Sequence, residues 1–458
     1  MSSSPTPKVS APEVSTPALS DSTRIPSTLL HPRALHFWLA VLLTGIATGI
    51  GAALLTKLLE FVQHLVWRGS PTDILSAAQN ASLKWHVLIL LGAALLTGAG
   101  QLLLKHLSSG NGIDTTEAIW FFGGRMPTLR TLGSAVLSVL IVGMGVSLGR
   151  EGAPKQAGAV FANLFSDKER LSDEQRQLLV ACGAGAGMGA AYGVPIGGAL
   201  FALEVMRGRL ALRYVLPALF TSLIATGVSW LVLPNAPTYV IPSFSLTASI
   251  LVWALVAGPL LGLASVGYVR LITWADRNRP QGWQRFTTPL IVMGLLGLVS
   301  YWFPQILGNG KDLSELLFNS QVAPLLILAL LFLKPLATVF CMRSGAPGGM
   351  FTPSLTAGAL LGGILGIAWS AIWPGTPPGF FALLGAGAMI AATTQGPISA
   401  VVLLIELTGQ DRAFILPLLI IVCTATLIAR TIEPRSIYDA RLTDEQIAER
   451  QRLRELPS

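Results

Sequence analysis

Apolar stretches long enough to cross a bilayer recur along this chain, and they constrain its fold more than any other feature. A transmembrane helix needs about 20 mostly apolar residues. Of the 458 residues 52% are hydrophobic and 12% are charged, whereas soluble domains average about 25% charged residues. The apolar stretches lie at 36–66, 86–104, 131–148, 178–206, 214–233, 247–273, 287–304, 322–341, 354–373, 379–408 and 412–429. The sequence therefore predicts an all-α polytopic membrane protein.

Several of these stretches are too long, and too often interrupted by Gly and Pro, to form one upright helix. The chain contains 47 Gly and 29 Pro. Long or interrupted segments fit a bilayer as tilted or broken helices. Irregular backbone at membrane depth is tolerated only where it lines a cavity or is buried in protein. We therefore expect more helices than apolar stretches, with some helix ends inside the membrane.

The chain also contains an internal duplication. GNGIDTTEA at 110–118 returns as GNGKDLSEL at 308–316. CGAGAGMGAAYGVPIGGALFALE, which ends at Glu204, returns as LGAGAMIAATTQGPISAVVLLIE, which ends at Glu406. Two matched blocks in the same order, about 200 residues apart, are not explained by composition. Repeated halves with broken helices are typical of membrane transport proteins, whose substrate site lies between the repeats.

The duplication divides the chain into five regions. We predict a disordered N-terminal tail at 1–33, a first membrane repeat at 34–235 and a linker at 236–246. A second membrane repeat follows at 247–438, and a C-terminal tail at 439–458. The first region is rich in Ser, Thr and Pro, a composition that cannot bury a core. Lys and Arg before the first and after the last apolar stretch predict that both ends are cytoplasmic.

The residue inventory offers no catalytic or metal-binding constellation. All five His precede residue 107, and the three Cys fall inside apolar stretches, where a buried structural thiol is the ordinary interpretation. We therefore predict no bound metal, no cofactor and no enzymatic activity. A membrane-bound enzyme or a pure scaffold is the least favoured class, because it would lack a nucleophile or a metal set.

Three glycine-rich segments interrupt apolar stretches just before a helix start. They are GNGID at 110–114, GREGA at 149–153 and GAPGGMFTP at 345–353. A helix that begins inside the membrane presents unpaired N–H groups and the positive end of its dipole, which attract anions. These segments therefore predict an anion site built from helix ends. Glu151 places a carboxylate there as a competitor of the anion, so its protonation state sets whether the path is open.

The motifs GREGAPKQAGA, GAPGGMFTP and GVPIGGALFALE, and a terminal SIY at 436–438, resemble the CLC family of chloride channels and chloride/proton antiporters. The resemblance covers about residues 36–442. It implies two inverted repeats with about eighteen helices, a homodimer with one pore per subunit, and no cytoplasmic nucleotide-binding domains. It also implies chloride as the transported ion, no cofactor, and a multi-pass location in a bacterial inner membrane.

The resemblance further assigns roles to individual residues. Glu151 corresponds to the gating glutamate of the family, whose carboxylate occupies the outer anion position and leaves when it is protonated or displaced. Met350 and Phe351 correspond to backbone donors and Tyr438 to a hydroxyl donor. The predicted anion-binding residues are Asn111, Gly152, Met350, Phe351 and Tyr438.

Other charged residues in the apolar regions are interpreted as structural. Arg150 is expected to pair with Glu117, because an unpaired guanidinium at membrane depth is costly. Glu204 and Glu406 occupy equivalent positions in the two repeats, which favours a scaffold role such as capping over proton transfer. Lys334 is expected to snorkel or to pair with a carboxylate.

The sequence departs from the family pattern at three positions. Asn111 replaces the usual Ser, which leaves the selectivity among small anions open. Ala153 replaces the usual Pro and Pro154 follows it, an acceptable position in the first turn of a helix. Val205 stands where coupled antiporters carry a second glutamate that passes protons, and a valine cannot carry a proton.

Val205 therefore favours a passive or loosely coupled, glutamate-gated chloride channel. The alternative is a chloride/proton antiporter of the same fold, with protons as a second substrate. A transporter of larger organic anions is the more distant alternative, because it would demand a wider cavity and an Arg clamp, and no Arg besides Arg150 and Arg343 is near the motifs. The expected partners are the lipid bilayer and a second copy of the chain, with no nucleic acid.

Overall fold

The protein is a bundle of helices without a β-sheet in the described part of the chain. The computed structural model describes residues 25, 34–68, 74–106, 114–410 and 412–455. These residues form eighteen α-helices, the number that the family resemblance implied. Most of the predicted tail at 1–33 lies outside the described residues.

The first repeat carries helices α1 to α9. Their bounds are α1 Ala34–Trp67, α2 Ile74–Gln79, α3 Leu83–His106, α4 Thr115–Phe121, α5 Thr128–Gly143, α6 Gly152–Lys168, α7 Asp173–Tyr192, α8 Pro195–Leu200 and α9 Leu212–Ser229. Helix α8 continues into a π-helical segment, Phe201–Arg207.

The second repeat follows the same order. Its bounds are α10 Ala248–Arg277, α11 Gln284–Val299, α12 Lys311–Phe318, α13 Pro324–Arg343, α14 Phe351–Ser370, α15 Pro378–Thr394, α16 Pro397–Thr408 and α17 Arg412–Ile432, with α18 Asp444–Glu455 after them. Short 3₁₀ turns lie at Pro304–Ile306 and Ile437–Asp439.

Seven described helices are long and apolar enough to cross a membrane: α1, α3, α9, α10, α13, α14 and α17. Helices α5, α11, α15 and α16 are apolar but shorter, as expected of broken segments. The chain is therefore an integral, multi-pass membrane protein.

The helix breaks fall at equivalent points of the two repeats. Helix α7 ends at Gly193 with φ 70°, and α15 ends at Gln395 with φ 56°, both in the left-handed conformation that stops a helix. Pro195 and Pro397 then begin α8 and α16, where a missing N–H costs nothing. The duplicated sequence thus produces duplicated breaks at membrane depth.

Reciprocal caps show that the repeats are inverted. Glu204 accepts hydrogen bonds from the backbone N–H groups of Ile398 and Ser399 at 3.1 and 2.6 Å. Glu406 accepts from the second and third residues of α8 at the same two distances. Glu204 lies in the π-helical segment after α8 and Glu406 in the last turn of α16. Each glutamate thus lies near the end of its own helix and contacts the first turn of the equivalent helix in the other repeat. The two equivalent helices therefore run antiparallel.

A second symmetric contact joins the loops before α6 and α14. The N–H of Gly149 donates to the carbonyl of Gly349 at 2.8 Å, and the N–H of Gly349 donates back at 2.7 Å. This isolated antiparallel bridge lies between the two helix N-termini. It brings the two glycine-rich motifs together near the middle of the bundle.

Glycines allow the equivalent helix pairs to pack closely. A Cβ on Gly158 of α6 would lie 2.0 Å from the carbonyl oxygen of Gly183 in α7. A Cβ on Gly358 of α14 would lie 2.4 Å from the carbonyl oxygen of Gly385 in α15. Small residues at such crossings are the usual means of packing helices within a bilayer. The GAGA sequences of both repeats therefore serve packing.

Most ion pairs gather at one face of the bundle, which we call the arginine-rich face. Arg277 pairs with Asp444 of α18 at 2.9 Å. His36 near the start of α1 contacts Glu169 at the end of α6 at 2.8 Å, and Arg209 before α9 donates to the carbonyl of Leu453 in α18. The excess of Arg on this face predicts that it is the cytoplasmic face, and we use that name for it below.

Candidate anion site

The carboxylate of Glu151 occupies the N-terminus of α14. Its Oε1 accepts hydrogen bonds from the N–H of Phe351 at 2.7 Å and of Thr352 at 3.3 Å. These N–H groups lie in the first turn of α14, where they have no partner within the helix. Glu151 is only 2% exposed. The buried carboxylate thus sits where the helix end would otherwise attract an anion.

Two hydroxyl groups complete the coordination of this carboxylate. Glu151 Oε2 accepts from the hydroxyl of Thr352 at 3.1 Å and from that of Tyr192 at 3.2 Å. The two hydroxyl oxygens lie 2.7 Å from each other. The resulting donor set contains two amides and two hydroxyls, and such neutral donors suit a small monovalent anion. The carboxylate therefore occupies a set of donors that would suit such an anion.

The glycine motifs allow the two helix ends to approach. A Cβ on Gly349 would lie 2.3 Å from Glu151 Oε1, and a Cβ on Gly152 would lie 2.7 Å from the nitrogen of Gly349. Met350 precedes α14 and its carbonyl accepts the N–H of Ser354 at 3.1 Å. Any larger residue at either glycine would force the loops apart and displace the carboxylate.

Arg150 lies on the outer side of this site, and its predicted partner was wrong. Its guanidinium lies over the ring of Tyr192, 5.0 Å from the centroid, and borders an outer cavity with Lys311 and Asp312. Within the described residues Arg150 makes no ion pair with Glu117, which instead lies in α4 beside the arginine-rich face. Stacking on the face of Tyr192, whose hydroxyl also donates to Glu151, thus takes the place of the expected ion pair.

Tyr438 lies on the cytoplasmic side of Glu151. Its ring packs edge-on against Phe201 with centroids 5.4 Å apart. The ammonium of Lys155 lies 4.4 Å from the same ring centroid. The structure therefore brings the N–H of Phe351 to the Glu151 carboxylate. It places the ring of Tyr438 beside Lys155, which follows Glu151 by one helical turn in α6. Asn111, the remaining predicted anion ligand, lies outside the described residues.

Val205 is buried, and α18 covers it on the cytoplasmic side. Val205 is 2% exposed and lies in the π-helical segment, one residue after the capping Glu204. Its carbonyl accepts a hydrogen bond from Arg450 of α18 at 3.1 Å. Arg450 also forms a buried ion pair with Asp439. The predicted C-terminal tail thus contributes a helix that packs beneath this position.

Lys334 is buried and forms no ion pair with a carboxylate among the described residues, so both expectations for it were wrong. Its ammonium donates to the carbonyl groups of Ile306, Leu307 and Gly308 at 2.9, 3.2 and 2.7 Å. A fourth bond goes to the hydroxyl of Ser147 at 3.0 Å. The 3₁₀ turn before α12 leaves these carbonyls unpaired at membrane depth, and a cation satisfies them. Lys334 is therefore a structural cation.

Sequence reasoning missed three residues of this region: Tyr192, Thr352 and Lys155. The first two adjoin motifs that were recognised, since Tyr192 precedes the break before α8 and Thr352 follows Phe351. Lys155 stands inside GREGAPKQAG, and a lysine within a membrane segment is a signal of function. That signal was present in the sequence, but only the neighbouring Arg150 and Glu151 were interpreted as functional or structural charges.

Comparison with known proteins agrees with this architecture. A family profile described as voltage gated chloride channel matches residues 93–430. The H(+)/Cl(-) exchange transporter ClcA of Cronobacter sakazakii is 30% identical over 448 residues, covering 89% of this chain and 90% of the relative. ClcA of Citrobacter koseri is also 30% identical, covering 90% of both.

Solved structures share the fold at lower identity. A slow cyanobacterial Cl⁻/H⁺ antiporter aligns with a TM-score of 0.77 and 23% identity, over 92% of this chain and 100% of that one. A CLC-type fluoride/proton antiporter aligns with a TM-score of 0.68 and 23% identity, over 88% and 97%. With the profile match over most of its length, this chain belongs to the CLC family, the family of voltage-gated chloride channels.

Proposed function

We propose that this protein is a homodimeric chloride/proton exchanger of a bacterial inner membrane, in which Glu151 alternately closes the anion path and carries a proton. The observation that carries this proposal is the Glu151 carboxylate held by the N–H groups and hydroxyls at the start of α14. Relatives at 30% identity that are named H(+)/Cl(-) exchange transporters support coupled exchange over the passive channel that Val205 favoured.

The coupling follows from competition for one set of donors. As a carboxylate, Glu151 accepts charge-assisted hydrogen bonds from Phe351, Thr352 and Tyr192, and these are stronger than neutral ones. Protonation removes the charge and weakens those bonds, so the side chain leaves and chloride takes the donors. Chloride and the deprotonated carboxylate thus exclude each other, and each anion that enters requires a proton on Glu151.

The observation that favours the second candidate function, a passive channel, is Val205. At this position no acid is available to pass protons from the cytoplasm, and Arg450 and Asp439 cover it from below. If protons reach Glu151 and leave it only from the other side, chloride crosses with no net movement of protons. Both candidates use the same anion site, so they differ only in the movement of protons.

Simultaneous recording of chloride and proton flux in proteoliposomes tests the proposal. An outward chloride gradient is expected to drive protons uphill at a fixed ratio. Glu151→Gln is expected to abolish proton movement and to leave chloride flux. Glu169→Gln changes a glutamate at the opposite end of the same helix and is the matched control, with coupling retained. Chloride flux with no uphill proton movement in the unmodified protein would establish the channel instead.

A further inference from the structure

Three arginine side chains surround one indole ring on the cytoplasmic face, and the proposed exchange mechanism assigns no ligand to them. The guanidinium carbons of Arg450, Arg454 and Arg207 lie 5.0, 5.6 and 5.8 Å from the ring centroid of Trp120. Trp120 belongs to α4 and donates its indole N–H to the carbonyl of Met206 at 3.0 Å. A ring face attracts a cation, but it does not neutralise the charge. We call Arg207, Arg450 and Arg454 the arginine cluster.

The arginine cluster joins two elements of the fold. Arg207 ends the π-helical segment after α8, whereas Arg450 and Arg454 lie four residues apart in α18, a spacing that puts them on one helix face. A Cβ on Gly208, the residue after Arg207, would lie 2.4 Å from Arg454 Nε. This guanidinium therefore packs directly on the end of the π-helical segment, and the contact brings like charges together.

The described carboxylates do not balance the charge of the cluster. Asp439 forms an ion pair with Arg450, but no described carboxylate lies within ion-pair distance of Arg207 or Arg454. Glu174 attracts Arg207 from further away, and it is paired with an arginine of α9. Arg454 is the extreme case, because the charged groups that act on it from nearby are other arginines.

Each guanidinium of the cluster also has a donor without an acceptor. The Nε–H groups of all three arginines are buried and have no hydrogen-bond partner in the part of the chain that the structure describes. Arg450 is 2% exposed and Arg207 is 7% exposed. Burial and repulsion by Arg430 lower the pKa of Arg454 to about 10, so this group still carries its charge at neutral pH. A buried charged donor without an acceptor is costly, and an anion from outside the chain would satisfy these donors.

We propose that the arginine cluster binds a phosphate group at the cytoplasmic face. A guanidinium presents parallel N–H donors that match two oxygens of a phosphate, whereas a chloride ion accepts as a single point. Two elements that each supply such a fork suit an oxyanion with several acceptor atoms. The site is separate from that of Glu151, and the proposal does not rest on the exchange of chloride and protons.

The position of the cluster favours a lipid as the source of the phosphate. The chain leaves Arg207 and enters the membrane-spanning helix α9 at Leu212, so the cluster lies near the membrane boundary. Leu210 and Leu212 are 47% and 87% exposed. Exposed apolar side chains beside buried cations suit a ligand that has acyl chains and a charged headgroup. A soluble phosphate would use the same cations without these leucines.

A bound phosphate would also hold α18 beneath Val205. Arg450 donates to the carbonyl of Val205 at 3.1 Å, and Arg454 repels Arg450 from one turn further along α18. A phosphate between the two arginines would offset this repulsion and keep α18 on the π-helical segment. Binding is therefore expected to raise the temperature at which the protein unfolds.

Calorimetric titration of the purified full-length protein in a neutral detergent tests the site. The probes are dihexanoyl phosphatidylglycerol, the same headgroup without acyl chains, and dihexanoyl phosphatidylcholine, whose choline neutralises the phosphate. The phosphatidylglycerol is expected to bind most tightly, because it offers both the phosphate charge and the acyl chains. An equal Kd for the lipid and its isolated headgroup would assign the site to soluble phosphates. Equal binding of phosphatidylcholine would overturn the proposal, since the charge of the phosphate would then be irrelevant.

Substitutions in α18 locate the binding. Arg454→Gln is expected to raise the Kd for phosphatidylglycerol about tenfold, the loss typical of one hydrogen bond from a charged donor. Arg452→Gln removes the same charge from an exposed position two residues away, so it is the matched control and should leave the Kd unchanged. An unchanged Kd in folded Arg454→Gln, or an equal rise in Arg452→Gln, would refute the assignment.

A measurement on the unmodified protein guards against a variant that fails to fold. Thermal unfolding followed by fluorescence is expected to shift to higher temperature with phosphatidylglycerol and to remain in place with phosphatidylcholine. The absence of any difference between the two lipids would count against the site. Neither chloride nor proton flux enters these experiments, so they stand or fall separately from the proposed exchange.

Discussion

The loops before α6 and α14 are equivalent in the two repeats, yet one carries charged residues and the other carries apolar residues at the matching positions. The first carries Arg150 and Glu151, and the second carries Met350 and Phe351 at the matching positions across the Gly149–Gly349 bridge. One helix start therefore contributes a side-chain carboxylate and the other contributes backbone N–H groups. Where they meet, the N–H of Phe351 donates to the Glu151 carboxylate, and this contact is the anion site that we propose.

Glu204 and Glu406 are the contrasting pair, because they have remained the same. Each caps the start of the equivalent helix at 3.1 and 2.6 Å. A contact that is repeated by the symmetry stabilises the junction between the repeats, and it needs no transported ion. The comparison teaches that this symmetric charged pair supports the fold, whereas the asymmetric Glu151 is the residue that we propose on the anion path.

The largest effect that this comparison predicts is on the pH dependence of transport. Chloride flux of the unmodified protein is expected to rise as pH falls, because the neutral carboxyl of Glu151 binds the α14 donors less strongly and leaves. Glu151→Gln is expected to give a flux that no longer rises as pH falls, since an amide at this position does not gain or lose a proton. Flux in liposomes at matched internal and external pH measures this. A slope retained by the variant would place the gate elsewhere.

Substitution of Glu204 or Glu406 is expected to lower the stability of the protein. Glu204→Gln and Glu406→Gln should each lower the unfolding free energy in detergent by about 1–2 kcal/mol, because a neutral amide makes weaker bonds to the helix N–H groups. Equal losses would support equivalent structural roles. Thermal unfolding followed by fluorescence gives the values. A loss of proton coupling confined to Glu204→Gln would show that the symmetry conceals a functional difference.

The hydroxyls that hold Glu151 are expected to have a smaller effect. Tyr192→Phe removes one charge-assisted bond to the carboxylate, worth about 1.5 kcal/mol, so the side chain leaves more readily. Chloride turnover near neutral pH should then rise about tenfold, with proton coupling retained. Tyr214→Phe, at a hydroxyl that contacts Glu174 on the cytoplasmic face, is the control. An unchanged turnover would mean that the amides alone hold the carboxylate.

The smallest effect is expected at Phe351, the counterpart of Glu151. Because its contribution is a backbone N–H, Phe351→Leu should keep the chloride-to-proton ratio within experimental error of the unmodified protein. The same flux assay measures this ratio. A ratio shifted as far as that of Glu151→Gln would remove the asymmetry between the two loops.

Much of the architecture was predictable because it depends on periodic and local features. Apolar stretches predicted a polytopic helical protein, and the GAGA blocks with Pro195 and Pro397 predicted matched helix breaks. The boundaries of the repeats at 34–235 and 247–438 stay predictions. GREGA and GAPGGMFTP were predictable as helix starts, because the glycines interrupt apolar stretches just before α6 and α14, whereas residues 110–113 of the third motif lie outside the described residues.

The partners of the buried charges were harder to predict. Arg150 was expected to meet Glu117 and instead stacks on Tyr192. Lys334 was expected to meet a carboxylate and instead binds three carbonyls. A sequence shows that a charge at membrane depth needs compensation, but it does not show which carbonyl or ring lies within a few ångströms across the bundle.

By itself, the sequence determined a duplicated, membrane-spanning helical chain with glycine-rich helix starts and a carboxylate among them, because hydropathy, helix breaking and repetition are local properties. Only the tertiary structure decided that the repeats are inverted and that Glu151 reaches the amides of the opposite repeat. It also decided that Lys155 faces Tyr438. These are contacts between residues up to about 280 positions apart, and the packing of helices across the bundle sets them.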